Sequence, residues 1–293
     1  MADELSPPGA SRAGLWPVDK VVLSYFAICV VLIVVWWRSL PQAPWLLAGH
    51  ALLTGILFFQ IRVPNPTSWV FRNWYPTVYV SLCYREMSIL VPAIRHTHAD
   101  RWLADLDFRI WHANPTIWLE RIYNPVLTEY LQIVYTLFVP AVILVGLVLW
   151  LQSRWAEFQS YTFLIAIGFL VSYLGYLLVP ARGPRFLLRP LEHASLNGLW
   201  LFHHLQSTLD QLESAAYDCF PSGHTELTIL ALWGTRLISK RVFCIYFAYT
   251  LSIMFATVYL RYHYTVDVMA GVVTALVLIG ISPWLCRTLQ KRN

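Results

Sequence analysis

The chain has 293 residues, of which 58% are hydrophobic and only 13% are charged. Its mean hydropathy of +0.54 excludes an ordinary soluble domain, because such domains are about half apolar and a quarter charged. The net charge of +5 does not require a nucleic-acid partner, since Lys and Arg accumulate in the cytoplasmic loops of membrane proteins. The chain is therefore predicted to lie in a membrane bilayer, with no nucleic acid among its partners.

Eight apolar segments are candidates for membrane-spanning helices, which need about 20 mostly apolar residues. Segment 74–94 is the weakest because Arg85 and Glu86 lie in its middle, and segment 225–238 is short. We expect an all-α polytopic membrane protein of about eight transmembrane helices. The candidate segments are 21–37, 45–59, 74–94, 127–151, 161–180, 225–238, 242–259 and 267–285.

The chain upstream of the fourth segment divides into a tail and a membrane region. Residues 1–16 are predicted to form a flexible tail, and residues 17–126 a transmembrane and interfacial region. After the third segment, apolar residues recur at helical spacing between acids, which predicts an amphipathic helix in the headgroup plane. A metal site on His96, His98 and Asp100 is the alternative. It is disfavoured because helical residues two apart point away from each other.

The distribution of basic residues predicts which side of the membrane each loop occupies. If all eight segments span, the face that contains both termini carries 11 of the 21 Lys and Arg residues. The opposite face carries 9, four of them in stretches that we assign to chemistry below. The termini are therefore predicted to be cytoplasmic. Three polar stretches at residues 179–190, 221–224 and 261–267 then share the periplasmic, extracellular or lumenal face.

The stretch "PSGH" opens the sixth segment with residue types suited to holding an anion. Ser222 can cap the helix, Gly223 lets an oxygen approach the backbone, and the free N–H groups of a helix N-terminus attract negative charge. His224 at the rim can then give a proton to a leaving oxygen. Taken alone, the tetrapeptide fits an ordinary helix cap. Together with the two other stretches it favours a phosphate site.

The stretch "HYTVD" places His263 and Asp267 four residues apart, close enough to face one another on a helix. A carboxylate bonded to one ring nitrogen would fix the tautomer and leave the other nitrogen as a nucleophile. We assign that role to His263. A pair of interfacial polar residues is the alternative, but a carboxylate near hydrocarbon is costly without a partner.

Three arginines, Arg182, Arg185 and Arg189, follow the fifth segment within eight residues. Guanidinium groups match phosphate oxygens and stabilise the charge that develops when phosphorus is attacked. We expect two of the three to contact a substrate phosphate. Binding of lipid headgroups alone is the other interpretation.

In this order, "R-x6-RP" (182–190), "PSGH" (221–224) and "H-x3-D" (263–267) resemble the signature motifs of the type 2 phosphatidic acid phosphatase (PAP2) superfamily. Those motifs are K-x6-RP, PSGH and SR-x5-H-x3-D. "HYTVDV" is most similar to the branch of inositol phosphorylceramide synthases and sphingomyelin synthases. The resemblance implies a six-helix PAP2-type catalytic core, here at residues 127–293. It also implies a phosphohistidine on His263, proton donation by His224, and neither metal nor cofactor.

The chain departs from the superfamily pattern at two positions. Arg182 stands where the superfamily has lysine, which keeps the positive charge. Thr257 stands where an arginine is expected, and Arg261 follows four residues later. Positions four apart share a helix face. We therefore expect Arg261 to supply the charge from nearer the membrane surface.

The resulting prediction is a lipid phosphotransferase. It would move a phosphate or phospho-headgroup from a phospholipid or lipid phosphate to a lipid or polyol acceptor. A lipid phosphate phosphatase with the same site is the first alternative. A transporter with a basic outer vestibule is the second, although the chain lacks the internal repeats that many transporters carry.

Overall fold

The computed structural model describes residues 14–63, 66–212 and 217–290. Those ranges contain thirteen α-helices and no strand, apart from one isolated bridge between Ala181 and Asp218. Short 3-10 turns lie at Trp37–Ser39, Leu119–Ile122 and Arg189–Leu191. The helices are α1 (Pro17–Val35), α2 (Ala43–Arg62), α3 (Pro66–Ile94), α4 (Asp100–Trp111), α5 (Pro115–Trp118), α6 (Pro125–Thr136), α7 (Phe138–Leu151), α8 (Trp155–Leu178), α9 (Pro184–Leu187), α10 (Phe202–Leu212), α11 (Gly223–Thr235), α12 (Lys240–Tyr259) and α13 (Thr265–Gln290).

Five of the described helices are long and apolar enough to cross a membrane, namely α1, α2, α8, α12 and α13. The bent pair α6 and α7 is a sixth candidate. The expected count of eight is therefore not confirmed. Helix α11 has only 13 residues, about 20 Å of rise, which is less than the hydrocarbon core of about 30 Å. Helix α3 carries Arg72, Arg85 and Glu86, and these lower its hydropathy.

The segment predicted at 127–151 is two helices that meet at Leu137 with a bend of 48°. Pro140 explains the break, because it has no N–H to donate and its ring crowds the carbonyl of the residue four earlier, Thr136. The helix therefore begins again at Phe138. After the bend, α6 packs against α10 and α12.

Helix α11 lies at the centre of the bundle and packs against α7, α8, α12 and α13. Its side chains Leu227, Leu230 and Ala231 are at most 1% exposed, as expected for a helix surrounded by others. Helix α8 also packs against α1 and α3. The hydroxyl of Tyr173 on α8 donates to the carbonyl of Val80 on α3 at 2.8 Å. The up-and-down path brings the end of α8 and the starts of α11 and α13 to the same end of the bundle.

Helix α4 confirms the amphipathic helix expected after the third segment, but its polar residues do not all face water. Trp102 and Phe108 are 53% and 52% exposed, whereas Asp100 and Asp107 are 6% and 2% exposed. The two acids lie seven residues apart, and residues at this spacing share a helix face. That face points into the protein, toward the loops at the polar end of the bundle.

The opposite end of the bundle contains a buried ion pair that predicts a stability effect. Asp19 is fully buried and accepts hydrogen bonds from Arg72 Nη2 at 2.8 Å and from the Tyr75 hydroxyl at 2.7 Å. We expect Asp19→Ala to lower the free energy of unfolding by about 3 kcal/mol, because it removes the only carboxylate that pairs with the buried Arg72 guanidinium among the described residues. Thermal unfolding in detergent checks this, with the exposed Asp105→Ala as control. Equal stability of the two variants would contradict it.

Candidate active site

Two histidines that are 39 residues apart in the chain meet at the polar end of the bundle. His224 is the second residue of α11, and His263 lies in the loop between α12 and α13. Nε2 of His263 lies 3.4 Å from Nδ1 of His224, and the ring centroids are 5.6 Å apart. The structure thus brings together the two residues that the sequence analysis assigned to attack and to proton transfer.

The other ring nitrogen of His263 is held by the main chain. Nδ1 lies 2.8 Å from the carbonyl oxygen of Cys219, whereas the carboxylate of Asp267 is 3.6 Å from it. A carbonyl can only accept, so Nδ1 carries the proton and Nε2 keeps its lone pair. The four-residue spacing in the sequence predicts Asp267 alone in this orienting role. In the structure the carbonyl of Cys219 is the closer partner.

Asp267 is fully buried and supports the loop that carries His263. Its Oδ2 accepts from the Tyr264 N–H at 2.9 Å and from the Cys219 thiol at 2.8 Å. Its main-chain carbonyl accepts from the N–H of Ser222 at 3.1 Å. Asp267 therefore connects the histidine loop with both Cys219 and the "PSGH" stretch.

Cys219 is a site residue that the sequence analysis missed. Its side chain is 2% exposed, and burial together with the neighbouring Asp267 carboxylate raises the pKa of its thiol well above the usual range. The thiol is therefore protonated and acts as a hydrogen-bond donor, not as a nucleophile. The only sequence feature that could have pointed to Cys219 is its position two residues before Pro221. Single cysteines are too common for such a position to predict a role in a site.

Aromatic rings surround His224. Its ring stacks on Tyr135 at 4.3 Å between centroids and contacts Phe138 at 4.5 Å, while Tyr135 stacks on Tyr262 at 4.3 Å. Burial among these rings, and next the proximity of His263, lower the pKa of His224 well below its ordinary value. His224 is therefore neutral at neutral pH until a negative charge binds beside it.

The "PSGH" stretch begins α11 as a capped helix. Ser222 is fully buried, and its hydroxyl accepts from the Thr225 N–H at 3.4 Å, which is the geometry of an N-cap. A Cβ at position 223 would lie 2.8 Å from the Tyr176 hydroxyl, so only glycine fits there without a shift. The predicted phosphate contacts of Ser222 and Gly223 stay a prediction.

The three arginines lie on α9 and its flanks, at the same end of the bundle. Arg182 is exposed and stacks over Phe186 at 4.1 Å. Arg185 pairs with Asp210 at 2.9 Å and lies 4.8 Å from the Tyr262 ring, so it reaches the aromatic stack that holds His224. Arg189 is exposed at the start of the following turn. Arg185 is thus the arginine that the described contacts connect to the histidine pair.

Arg261 does not have the geometry that the sequence analysis expected. Helix α12 ends at Tyr259, and Arg261 has a φ of 66°, so it does not share a helix face with Thr257. Its guanidinium binds the carboxylates of Glu120 at 2.7 Å and Glu192 at 2.8 Å. Two carboxylates offset its positive charge. The described contacts therefore favour a role in holding the loop, and binding of phosphate by Arg261 stays a prediction.

Helix α4 supplies two further residues that the sequence analysis did not assign to the site. The Asp100 carboxylate accepts from the N–H groups of Arg182 at 3.0 Å and Gly183 at 2.8 Å, and from the Tyr264 hydroxyl at 3.2 Å. Asp107 accepts from the N–H groups of residues 265 and 266, both at 2.9 Å, and so caps α13. Their spacing of seven residues was visible in the sequence, but their partners were not.

Two sets of side chains bear on whether the site could hold a metal ion. The alternative site on His96, His98 and Asp100 is not supported, because Asp100 is engaged by main-chain N–H groups and His98 stacks on Tyr217. Ligand atoms of Cys219, His263 and Asp267 do lie within 4.8 Å of one another. The hydrogen bonds described above already account for that cluster.

Long apolar helices around a histidine pair define an integral membrane protein with a polar site at one end of its bundle. A sequence model described as the PAP2 superfamily matches residues 98–281, and the chain belongs to that superfamily. Its members are phosphatases or phosphotransferases, which indicates a lipid enzyme of that type. Comparisons with curated proteins and with solved structures found no match. The matched range includes α4, upstream of the core boundary predicted at residue 127.

The role of Asp100 leads to a prediction. Asp100→Ala leaves three donors without their acceptor, and each unsatisfied buried group costs about 1–3 kcal/mol. We expect a loss of at least about tenfold in kcat/KM on a lipid phosphate, measured in detergent micelles. Asp105→Ala on the same helix is the matched control. Unchanged activity and unchanged thermal stability in Asp100→Ala would overturn the assignment.

Proposed function

We propose that this protein is a lipid phosphotransferase that works through a phosphohistidine on His263. The main support is that Nε2 of His263 faces His224 at 3.4 Å while its Nδ1 is held by a main-chain carbonyl at 2.8 Å. Membership of the PAP2 superfamily supports the same reaction class. The donor is a phospholipid or lipid phosphate, and the acceptor is a lipid or polyol alcohol. The likeness of "HYTVDV" to inositol phosphorylceramide and sphingomyelin synthases is the reason for preferring transfer.

In the first step, the lone pair on Nε2 of His263 forms a bond to phosphorus as the bond from phosphorus to the leaving oxygen breaks. His224 gives its proton to that oxygen. The negative charge of the bound phosphate favours the protonated form of His224, which offsets the effect of burial on its pKa. Arg185 and its neighbours Arg182 and Arg189 stabilise the developing charge on the phosphate oxygens.

In the second step, neutral His224 takes a proton from the acceptor hydroxyl as that oxygen bonds to phosphorus and the N–P bond breaks. The alcohol and water use the same intermediate. Transfer and hydrolysis therefore differ only in which molecule occupies the acceptor position. His224 contacts Tyr135 and Phe138, and apolar rings beside the acceptor position would favour an apolar alcohol over water.

We also propose that the site faces the periplasm, lumen or cell exterior, with both termini in the cytoplasm. The excess of Lys and Arg on the face with the termini supports this orientation. The aromatic residues exposed on α4, such as Trp102 and Phe108, suit a helix at the level of the headgroups. A lipid phosphate in the outer leaflet would then lie beside the histidine pair.

The roles proposed for His263 and His224 predict that their alanine variants respond differently when the leaving group of the substrate is changed. With a natural lipid phosphate, we expect His263→Ala to lose at least about 10³-fold and His224→Ala about 10²- to 10⁴-fold in activity. With nitrophenyl phosphate, whose leaving group needs no proton, His224→Ala should recover most of its activity and His263→Ala none. Initial rates with both substrates check this. Equal losses of His224→Ala on both substrates would contradict its role as the acid.

The covalent intermediate and the acceptor can be tested together. Labelled lipid phosphate, quenched in alkali, should leave an alkali-stable and acid-labile label on the wild type and none on His263→Ala. Adding a lipid or polyol alcohol should move the label to a new lipid. Release of inorganic phosphate alone would favour a phosphatase. Transport of phosphate that persists in His263→Ala, without any phosphorus chemistry, would favour a transporter.

A further inference from the structure

A second cluster of chemically reactive side chains lies in the N-terminal helices, outside the range matched by the superfamily. Cys29 of α1, His50 of α2 and Glu86 of α3 offer ligand atoms that all lie within 4.8 Å of one another. Nε2 of His50 lies 2.8 Å from Oε1 of Glu86. The three residues are 0%, 7% and 8% exposed. Ionisable groups buried in membrane helices are costly and often mark a functional site.

The three residues come from separate helices but lie at the same depth. At 1.5 Å per residue, Cys29 is about 9 Å from the end of α1 at Val35, His50 about 10 Å from the start of α2, and Glu86 about 12 Å from the end of α3. These helix ends lie on one side of the bundle, where Arg95 donates to the Leu178 carbonyl at the end of α8. The cluster therefore belongs to the half of the bundle that contains the active site.

The hydrogen bonds within the cluster leave one ring nitrogen of His50 without a partner. Nδ1 of His50 is buried and has no hydrogen-bond partner among the described residues. The other ring nitrogen, Nε2, is the one that contacts Glu86. A buried ring nitrogen without a partner is unfavourable. A neutral imidazole always has one nitrogen with a free lone pair, which a metal ion can take.

We propose that Cys29, His50 and Glu86 bind one zinc ion. Thiolate, imidazole and carboxylate are the usual zinc ligands, at about 2.0–2.3 Å from the metal, which puts ligand atoms of one tetrahedral site about 3.3–3.8 Å apart. The ligand atoms of the three residues, all within 4.8 Å of one another, lie close to that spacing. Binding releases the Cys29 proton, so one thiolate and one carboxylate balance the double charge of the ion. A neutral complex suits the interior of a helix bundle in a membrane, and water completes the four ligands.

The zinc ion would tie α1 and α2 to α3 near the active site. Two residues before Glu86, the Tyr84 hydroxyl donates to the Asp218 carboxylate at 2.7 Å. Asp218 lies next to Cys219, whose carbonyl holds His263. The metal thus acts as a structural clamp that positions α3 against the active-site loop, and it takes no part in the phosphorus chemistry.

The test uses the full chain in detergent, supplied with zinc chloride, dialysed, and analysed for metal by mass spectrometry. We expect one zinc per wild-type chain, and zinc affinity at least about 100-fold lower in Cys29→Ser and His50→Gln. Even mutation of a residue that only supports a metal ligand lowers metal affinity about 10- to 100-fold. Cys244→Ser, an exposed cysteine on α12, and Cys219→Ser, in the other cluster, should keep the metal. A chelator should lower the unfolding temperature of the wild type but not that of Cys29→Ser.

Cobalt substitution tests the site even if the ligand variants fail to fold. Cobalt bound to the Cys219→Ser protein should show a thiolate charge-transfer band and the intense visible bands of a four-coordinate ion. Three outcomes overturn the proposal. They are wild-type protein without stoichiometric zinc, zinc that is lost only in Cys219→Ser, and cobalt in Cys219→Ser protein that shows no thiolate band.

Discussion

The hydrogen bonds of the Asp100 carboxylate are the junction on which the active site depends. One carboxylate accepts from the main chain of Arg182 and Gly183 and from the hydroxyl of Tyr264, so it joins the arginine stretch to the histidine loop. Two further acids also accept hydrogen bonds from main-chain N–H groups. Asp107 caps α13, and Glu129 accepts from the N–H groups of residues 199 and 201 at 2.8 and 2.6 Å. Loops at a membrane surface expose N–H groups that need acceptors, and the segment at 100–129 supplies them.

These hydrogen bonds, with those around the two rings, hold the histidine pair in a fixed geometry. His263 is held from one side by the Cys219 carbonyl, and the loop behind it is held by Asp267. His224 is held by stacked rings and by the cap of α11. The proposed nucleophile and the proposed acid therefore face each other without a change in the main chain, and such preorganisation would reduce the cost of reaching the transition state.

The helices before residue 98 also contribute to the site, although the superfamily match does not include them. Tyr84 of α3 donates to Asp218, and burial raises the pKa of that carboxyl group. The isolated bridge between Ala181 and Asp218 continues the connection to the arginine stretch. Helix α3 thus holds the loop at 218, while α4 holds the arginine stretch through Asp100.

The sequence by itself determined the membrane class, the helical fold, the amphipathic helix α4 and the superfamily, because composition, apolar length and short motifs are local properties. It also indicated that His224 and His263 meet, since each lies at a helix end on one side of the bundle. Only the tertiary structure decided that the Cys219 carbonyl orients His263, that Arg261 is held by Glu120 and Glu192, and that five helices, or six with the bent pair, are candidate spans among the described residues. Those facts depend on contacts between residues far apart in the chain, and no local pattern specifies which buried donor finds which acceptor.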